Sequence, residues 1–70
     1  MEIIERIKKD IALFEAHIDE IADGDLKKMA FRYYTDAKYY LNKEDYTTSF
    51  GCIVYAHGLI DAIRKFKQTQ

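Results

Sequence analysis

Seventy residues allow one small domain, and a chain of this length hides only about 60% of the surface it exposes when unfolded. Hydrophobic residues make up 49% and aromatics 14%, with no proline, a composition that excludes disorder and suits a dense helical core. Eleven basic residues oppose twelve acidic ones for a net charge of -1, so no global field recruits nucleic acid or anionic membrane.

In the first segment Ile4, Ile7, Ile11, Phe14, Ile18 and Ile21 recur at alternating intervals of three and four. That spacing draws one apolar seam along an amphipathic helix over about residues 2–22, with Glu5, Lys8, Lys9, Glu15 and Asp19 between. The segment is acidic: seven acids stand against three bases from Met1 to Asp23. The helix is expected to stop at Asp23-Gly24, where glycine accepts the left-handed conformation, leaving Asp25 to cap the next helix.

The second segment, about 26–41, places Leu26, Ala30, Tyr33, Ala37, Tyr40 and Leu41 on one face with Met29 beside them. Lys27, Lys28, Arg32 and Lys38 point elsewhere. Asn42-Lys43-Glu44 forms a short polar break in which asparagine ends the helix. Asp45 is then free to bond the amides of Thr47 or Thr48 as the cap of a third helix.

That third helix, about 46–66, turns Tyr46, Phe50, Ile53, Ala56, Ile60 and Ile63 to the core, with Val54, Leu59 and Phe66 widening the apolar arc. Gly51 and Gly58, seven residues apart, join Tyr55 and Ala62 on a second face. Each glycine costs a helix interior about 1 kcal/mol relative to alanine, so two call for a reason such as close backbone approach. Tight packing within the domain, tolerance at the surface and contact with a second chain all remain open. The basic tail Arg64, Lys65 and Lys67 suits the negative end of a helix.

Connections of a few residues require sequential helices to run antiparallel, so residues 1–70 are expected to form a single all-α, up-down-up three-helix bundle. Helices one and three should each measure about 30 Å and helix two about 24 Å. Ile3 and Ile4 at one end, and Ile63 and Phe66 at the other, would then stand partly uncovered.

Chemical machinery is sparse. His57 falls between Phe50, Ile53 and Ile60 with Asp61 one turn on, a pair that could orient an imidazole for proton transfer or simply satisfy a buried ring. No nucleophile sits at a matching position, so no catalytic residue is assigned. Neither His17 nor His57 belongs to a metal-binding pair on one helix, and no glycine-rich loop resembles a phosphate cradle, so neither metal nor cofactor is expected. A lone Cys52, the lack of a signal-peptide pattern and apolar runs too short for a bilayer point to a cytoplasmic setting. Tyr33, Tyr40 and Tyr46 are core-directed by their spacing. Phe31, Tyr39 and Tyr55 face outward, where the scarcity of interleaved cations favours a protein partner over nucleic acid.

The stretches Tyr34-Thr35-Asp36-Ala37-Lys38-Tyr39-Tyr40-Leu41, Asp45-Tyr46, Ser49-Phe50-Gly51 and Tyr55-Ala56-His57-Gly58-Leu59-Ile60-Asp61-Ala62 resemble an archaeal family catalogued as domain of unknown function 357. The resemblance is concentrated from Ala30 to Phe66; helix one shares only its amphipathic character. It implies a compact three-helix, up-and-down bundle and no particular activity, and it marks Asp36, His57 and Asp61 as recurrent polar positions.

The expected function is therefore a protein-interaction or self-association module without catalytic activity. Its contact surface would be Gly51, Tyr55, Gly58 and Ala62 with the overhanging Ile63 and Phe66. The alternative is a small-ligand or RNA-binding protein whose site collects Asp36, His57 and Asp61 between helices two and three.

Overall fold

A computed structural model describes residues 1–68, with side-chain surroundings for residues 1–65. Three α-helices follow in the expected order: α1 (Glu2–His17), α2 (Asp25–Asn42) and α3 (Tyr46–Gln68), with no strand among the described residues. Three cross-helix contacts give the chain directions. Tyr34 on α2 meets Glu15 near the end of α1, Ser49 at the start of α3 meets Ala37 of α2, and His57 meets Asp10 of α1. The path is up, down and up.

The helices end for reasons that partly differ from the expected ones. α1 leaves the α conformation at His17, not near residue 22, and a 3₁₀ turn over Ile18–Glu20 carries the chain to an extended Ile21. Two physical effects favour this. Asp19 and Glu20 would meet the negative end of a longer helix. In addition, 3₁₀ winding brings residues three apart onto one side, so half-buried Ile18 and buried Ile21 both reach the core. Gly24 is extended rather than left-handed, with φ 164 and ψ 177, and it occupies the cap position of α2 that was expected for Asp25. Asp25 instead starts the helix, where its charge still meets the positive end.

α2 ends at Asn42 as expected, and the turn to α3 carries a left-handed residue at Glu44, φ 63. Asp45 N–H bonds to the Tyr40 carbonyl at 2.9 Å and Glu44 N–H to that of Leu41 at 3.1 Å. This paired pattern is the Schellman closure, which satisfies carbonyls left over at a helix end. Asp45 then caps α3 as expected: its Oδ1 accepts from Thr48 N–H at 3.3 Å.

The core consists of Ile7, Ile11, Phe14 and Ile21, Ala30, Tyr34 and Ala37, and Ile53, Ala56 and Ile60. α2 and α3 meet through small residues: Ala30, Ala37, Ala56 and Ser49 are all fully buried. That lets the backbones come close enough for Ser49 Oγ to donate to the Ala37 carbonyl at 2.7 Å. α1 stands off on the bulk of its isoleucines and Phe14. On α2 the expected Ala30 and Ala37 are buried, but the buried tyrosine is Tyr34, while Tyr33 and Tyr40 are half-buried. Its ring stacks on Phe14 at 4.7 Å, and its hydroxyl escapes to the surface at Glu15. Leu26 and Met29, expected inward, and Val54, expected to widen the apolar arc, are exposed.

Helix lengths also correct the expected overhang. With 16 residues α1 is the shortest helix, α2 has 18, and α3, with 23, extends alone past its neighbours at about 34 Å. Ile63 is half-buried near that end; the side chain of Phe66 lies outside the described residues. Among the described residues no helix is long and apolar enough to cross a membrane.

Candidate functional site

His57 joins α3 to α1. Its Nε2 lies 2.6 Å from the backbone oxygen of Asp10, and since a carbonyl only accepts, Nε2 carries the proton and donates. The ring meets Phe14 edge-on at 6.1 Å and 88°. Asp10 is itself buried, and its carboxylate accepts from Arg6 Nε at 3.3 Å, while the Arg6 guanidinium lies 6.0 Å from the centre of the Phe50 ring. One imidazole thus ties two helices at a backbone atom. Asp61 lines the same shallow groove between α1 and α3 but is exposed, and among the described residues no hydrogen bond joins it to His57. Of the two roles open to His57, this geometry shows the hydrogen bond that satisfies its partly buried ring.

Asp36 stands elsewhere, on the flank of α2 beside Cys52. Burial first, then the charges of Asp36 and Asp45, push the Cys52 thiol up from its ordinary value. The thiol therefore stays protonated and a poor nucleophile. Of the three expected polar site residues, the fold brings His57 and Asp61 to one groove and leaves Asp36 outside it. Among the described residues no group of three or more histidine, cysteine or carboxylate side chains is placed to hold a metal ion.

A second polar cluster was not foreseen. Tyr34 donates its hydroxyl hydrogen to Glu15, and Lys38 Nζ approaches that hydroxyl at 3.4 Å and Glu15 Oε2 at 3.9 Å. The hydrogen bond to Glu15 and burial hold the Tyr34 phenol above its ordinary range, against the opposing pull of Lys38. Glu15 and Lys38 of this cluster edge an open groove of about 600 Å³ between α1 and α2, floored by Ile4, Ile11, Leu41 and Tyr46. The available signal was Ala30, Tyr34, Ala37 and Leu41 at intervals of four, three and four. Ser49, Ile53, Ala56 and Ile60 repeat that spacing on α3, where the polarity of Ser49 masks the pattern.

The glycine-bearing face is open. Gly51, Tyr55, Gly58 and Ala62 are all exposed, and a Cβ added at Gly51 or Gly58 would meet nothing within 4 Å. Close approach inside the domain, one of the readings left open above, is therefore excluded. The Tyr55 ring leans on Tyr33 of α2 at 4.5 Å. Down the antiparallel register from that pair lie Met29 and Leu26, 42% and 50% exposed, on the α2 side. Leu59 and Ala62 accompany them on α3. The result is one apolar face shared by two helices.

A family model described as "Protein of unknown function (DUF357)" matches residues 2–68. The chain belongs to this family. The match runs through α1 as well as α2 and α3, so the shared pattern is the whole bundle and not its second half alone. No curated protein matches the chain. The family description names no activity.

Proposed function

We propose that this domain is an interaction module that associates with a second copy of itself through the outward face shared by α2 and α3. The observation that carries the reading is the bare apolar face around the Tyr33–Tyr55 pair, where Leu26, Met29 and Tyr55 are each two-fifths exposed or more; beside it on the outward side of α3 the space above Gly51 and Gly58 is empty, Gly58 lying toward the groove between α1 and α3. Two glycines two turns apart cost a monomer about 2 kcal/mol and gain it no contact. Against the same face of a partner they admit a close helix crossing.

A second copy fits this face because an isologous contact pairs a patch with itself about a two-fold axis. A net charge of -1 sets up little repulsion between copies. A small core also gains from burying further apolar surface. On this reading the module works in the cytoplasm, where the lone Cys52 stays reduced.

Sedimentation equilibrium tests the proposal. Wild type should show a monomer–dimer equilibrium at micromolar to about 100 μM protein. Gly58→Leu should sediment as a helical monomer, since its side chain has room on the isolated domain and none against a partner. A wild type that stays monomeric throughout, or a Gly58→Leu protein that associates as wild type does, refutes it.

A further inference from the structure

The charge balance of the whole chain hides a segregation that the fold makes visible. Across α2 and the residue that follows it, Asp25 to Lys43, five bases, Lys27, Lys28, Arg32, Lys38 and Lys43, stand against two acids, Asp25 and Asp36, leaving six bases against ten acids elsewhere. On α2, Lys28, Arg32, Thr35 and Tyr39 follow at intervals of four, three and four, so they form one ridge. All are exposed, directly opposite the buried Ala30, Tyr34 and Ala37. Phe31 flanks the ridge with 51% of its surface bare and Tyr39 crowns it with 56%.

The cations on this helix are not equivalent. Lys27 is paired with Asp23 at 3.1 Å and Lys38 with Glu15 at 3.9 Å. Among the described residues Lys28 and Arg32 make no ion pair. Lys43, just past the helix end, lies 5.6 Å from the centre of the Tyr39 ring. Asp36, one turn after Arg32 and so at the ridge's border, is half-buried on the flank toward Cys52.

We propose that this ridge of α2 binds single-stranded nucleic acid, with Lys28, Arg32 and Lys43 on phosphates and Phe31 and Tyr39 stacked on bases. Cations alone would suit any polyanion. Bare aromatic rings alternating with them suit a strand whose bases are unpaired, because every base offers a face to stack on. From Lys28 to Tyr39 the ridge runs about 16 Å, the scale of a site of about four nucleotides. Three phosphate contacts give weak, salt-sensitive binding, with a log–log salt slope of about -2. The ridge lies round α2 from the Tyr33–Tyr55 face, with Arg32 one turn from Met29 at its border, and the inference rests on the ridge's own residues and not on self-association.

Fluorescence anisotropy with a labelled oligouridine and its thymidine counterpart tests it on the full chain. One or both should bind, with affinity falling about fifteenfold between 50 and 200 mM salt. Lys28→Glu with Arg32→Glu should weaken binding at least about tenfold while circular dichroism stays helical. Phe31→Ala with Tyr39→Ala should weaken it with the salt slope unchanged, and Lys8→Glu with Lys9→Glu on α1 should leave it as it was. No binding at 50 mM salt overturns the proposal. So does binding that survives loss of both rings, or an oligoglutamate peptide that binds as well as the oligonucleotides, which would mark the ridge as a dock for acidic protein.

Discussion

Replacing Gly51 and Gly58 together by alanine separates what these residues do in the monomer from what they do between copies. Each lies inside α3 without a positive φ, and an added Cβ touches nothing within 4 Å. The substitution therefore loses no contact and creates no clash, and it removes the backbone entropy cost of glycine, about 1 kcal/mol per site. The sites are seven residues, about 10 Å, apart along the helix, so their effects should add to about 2 kcal/mol. For a domain of this size that raises the melting temperature by about 10 °C. Far-ultraviolet circular dichroism on protein dilute enough to be monomeric reads the shift. The same variant should associate more weakly at high concentration, because the methyl groups hold the partner off. An unchanged or lowered melting temperature in the dilute protein would show that something packs on these positions within one chain.

Other consequences follow from particular contacts. Glu44→Gly relieves a left-handed backbone in a non-glycine residue and should stabilise the fold by about 1 kcal/mol, read as a higher urea midpoint; a lower midpoint would contradict the Schellman closure. His57→Ala loses a cross-helix hydrogen bond and partly buried ring and should cost about 2 kcal/mol, whereas exposed Asp61→Ala should stay within about 0.5 kcal/mol. Equal losses would mean that the two act as a pair. Because the folded Tyr34 phenol titrates above its unfolded value of 10.0, the stability it contributes is full below that pH and is lost as pH rises through the folded value. Urea midpoints measured above pH 10 should fall less steeply in Tyr34→Phe than in wild type, and identical slopes would count against the bond to Glu15.

The seam of α1 and the core line of α3 could be read because large apolar side chains recur at helical spacing and only burial accounts for them. Tyr34 was harder. Its ring is core and its hydroxyl is surface, so spacing alone assigned its neighbour Tyr33 to the same face. Ser49 and Asp10 were invisible for the complementary reason: polar atoms suggest solvent, and only the fold reveals the Ala37 carbonyl and the Arg6 guanidinium that satisfy them. The end of α1 depended on acids at a helix terminus competing with an apolar repeat that continues past it. His57 was legible as a half-buried ring, but its partner is a backbone oxygen of another helix, which no pattern of side chains encodes. The glycines drew notice as a cost, and only the empty space above them shows that nothing within one chain offsets it.

Self-association through the α2–α3 face is tested most directly by isotope-filtered nuclear Overhauser spectroscopy on a mixture of labelled and unlabelled chains. Intermolecular contacts are expected from the Tyr55 ring to the Met29 and Leu26 methyl groups. A concentrated sample without intermolecular contacts, or with contacts confined to α1, would contradict it.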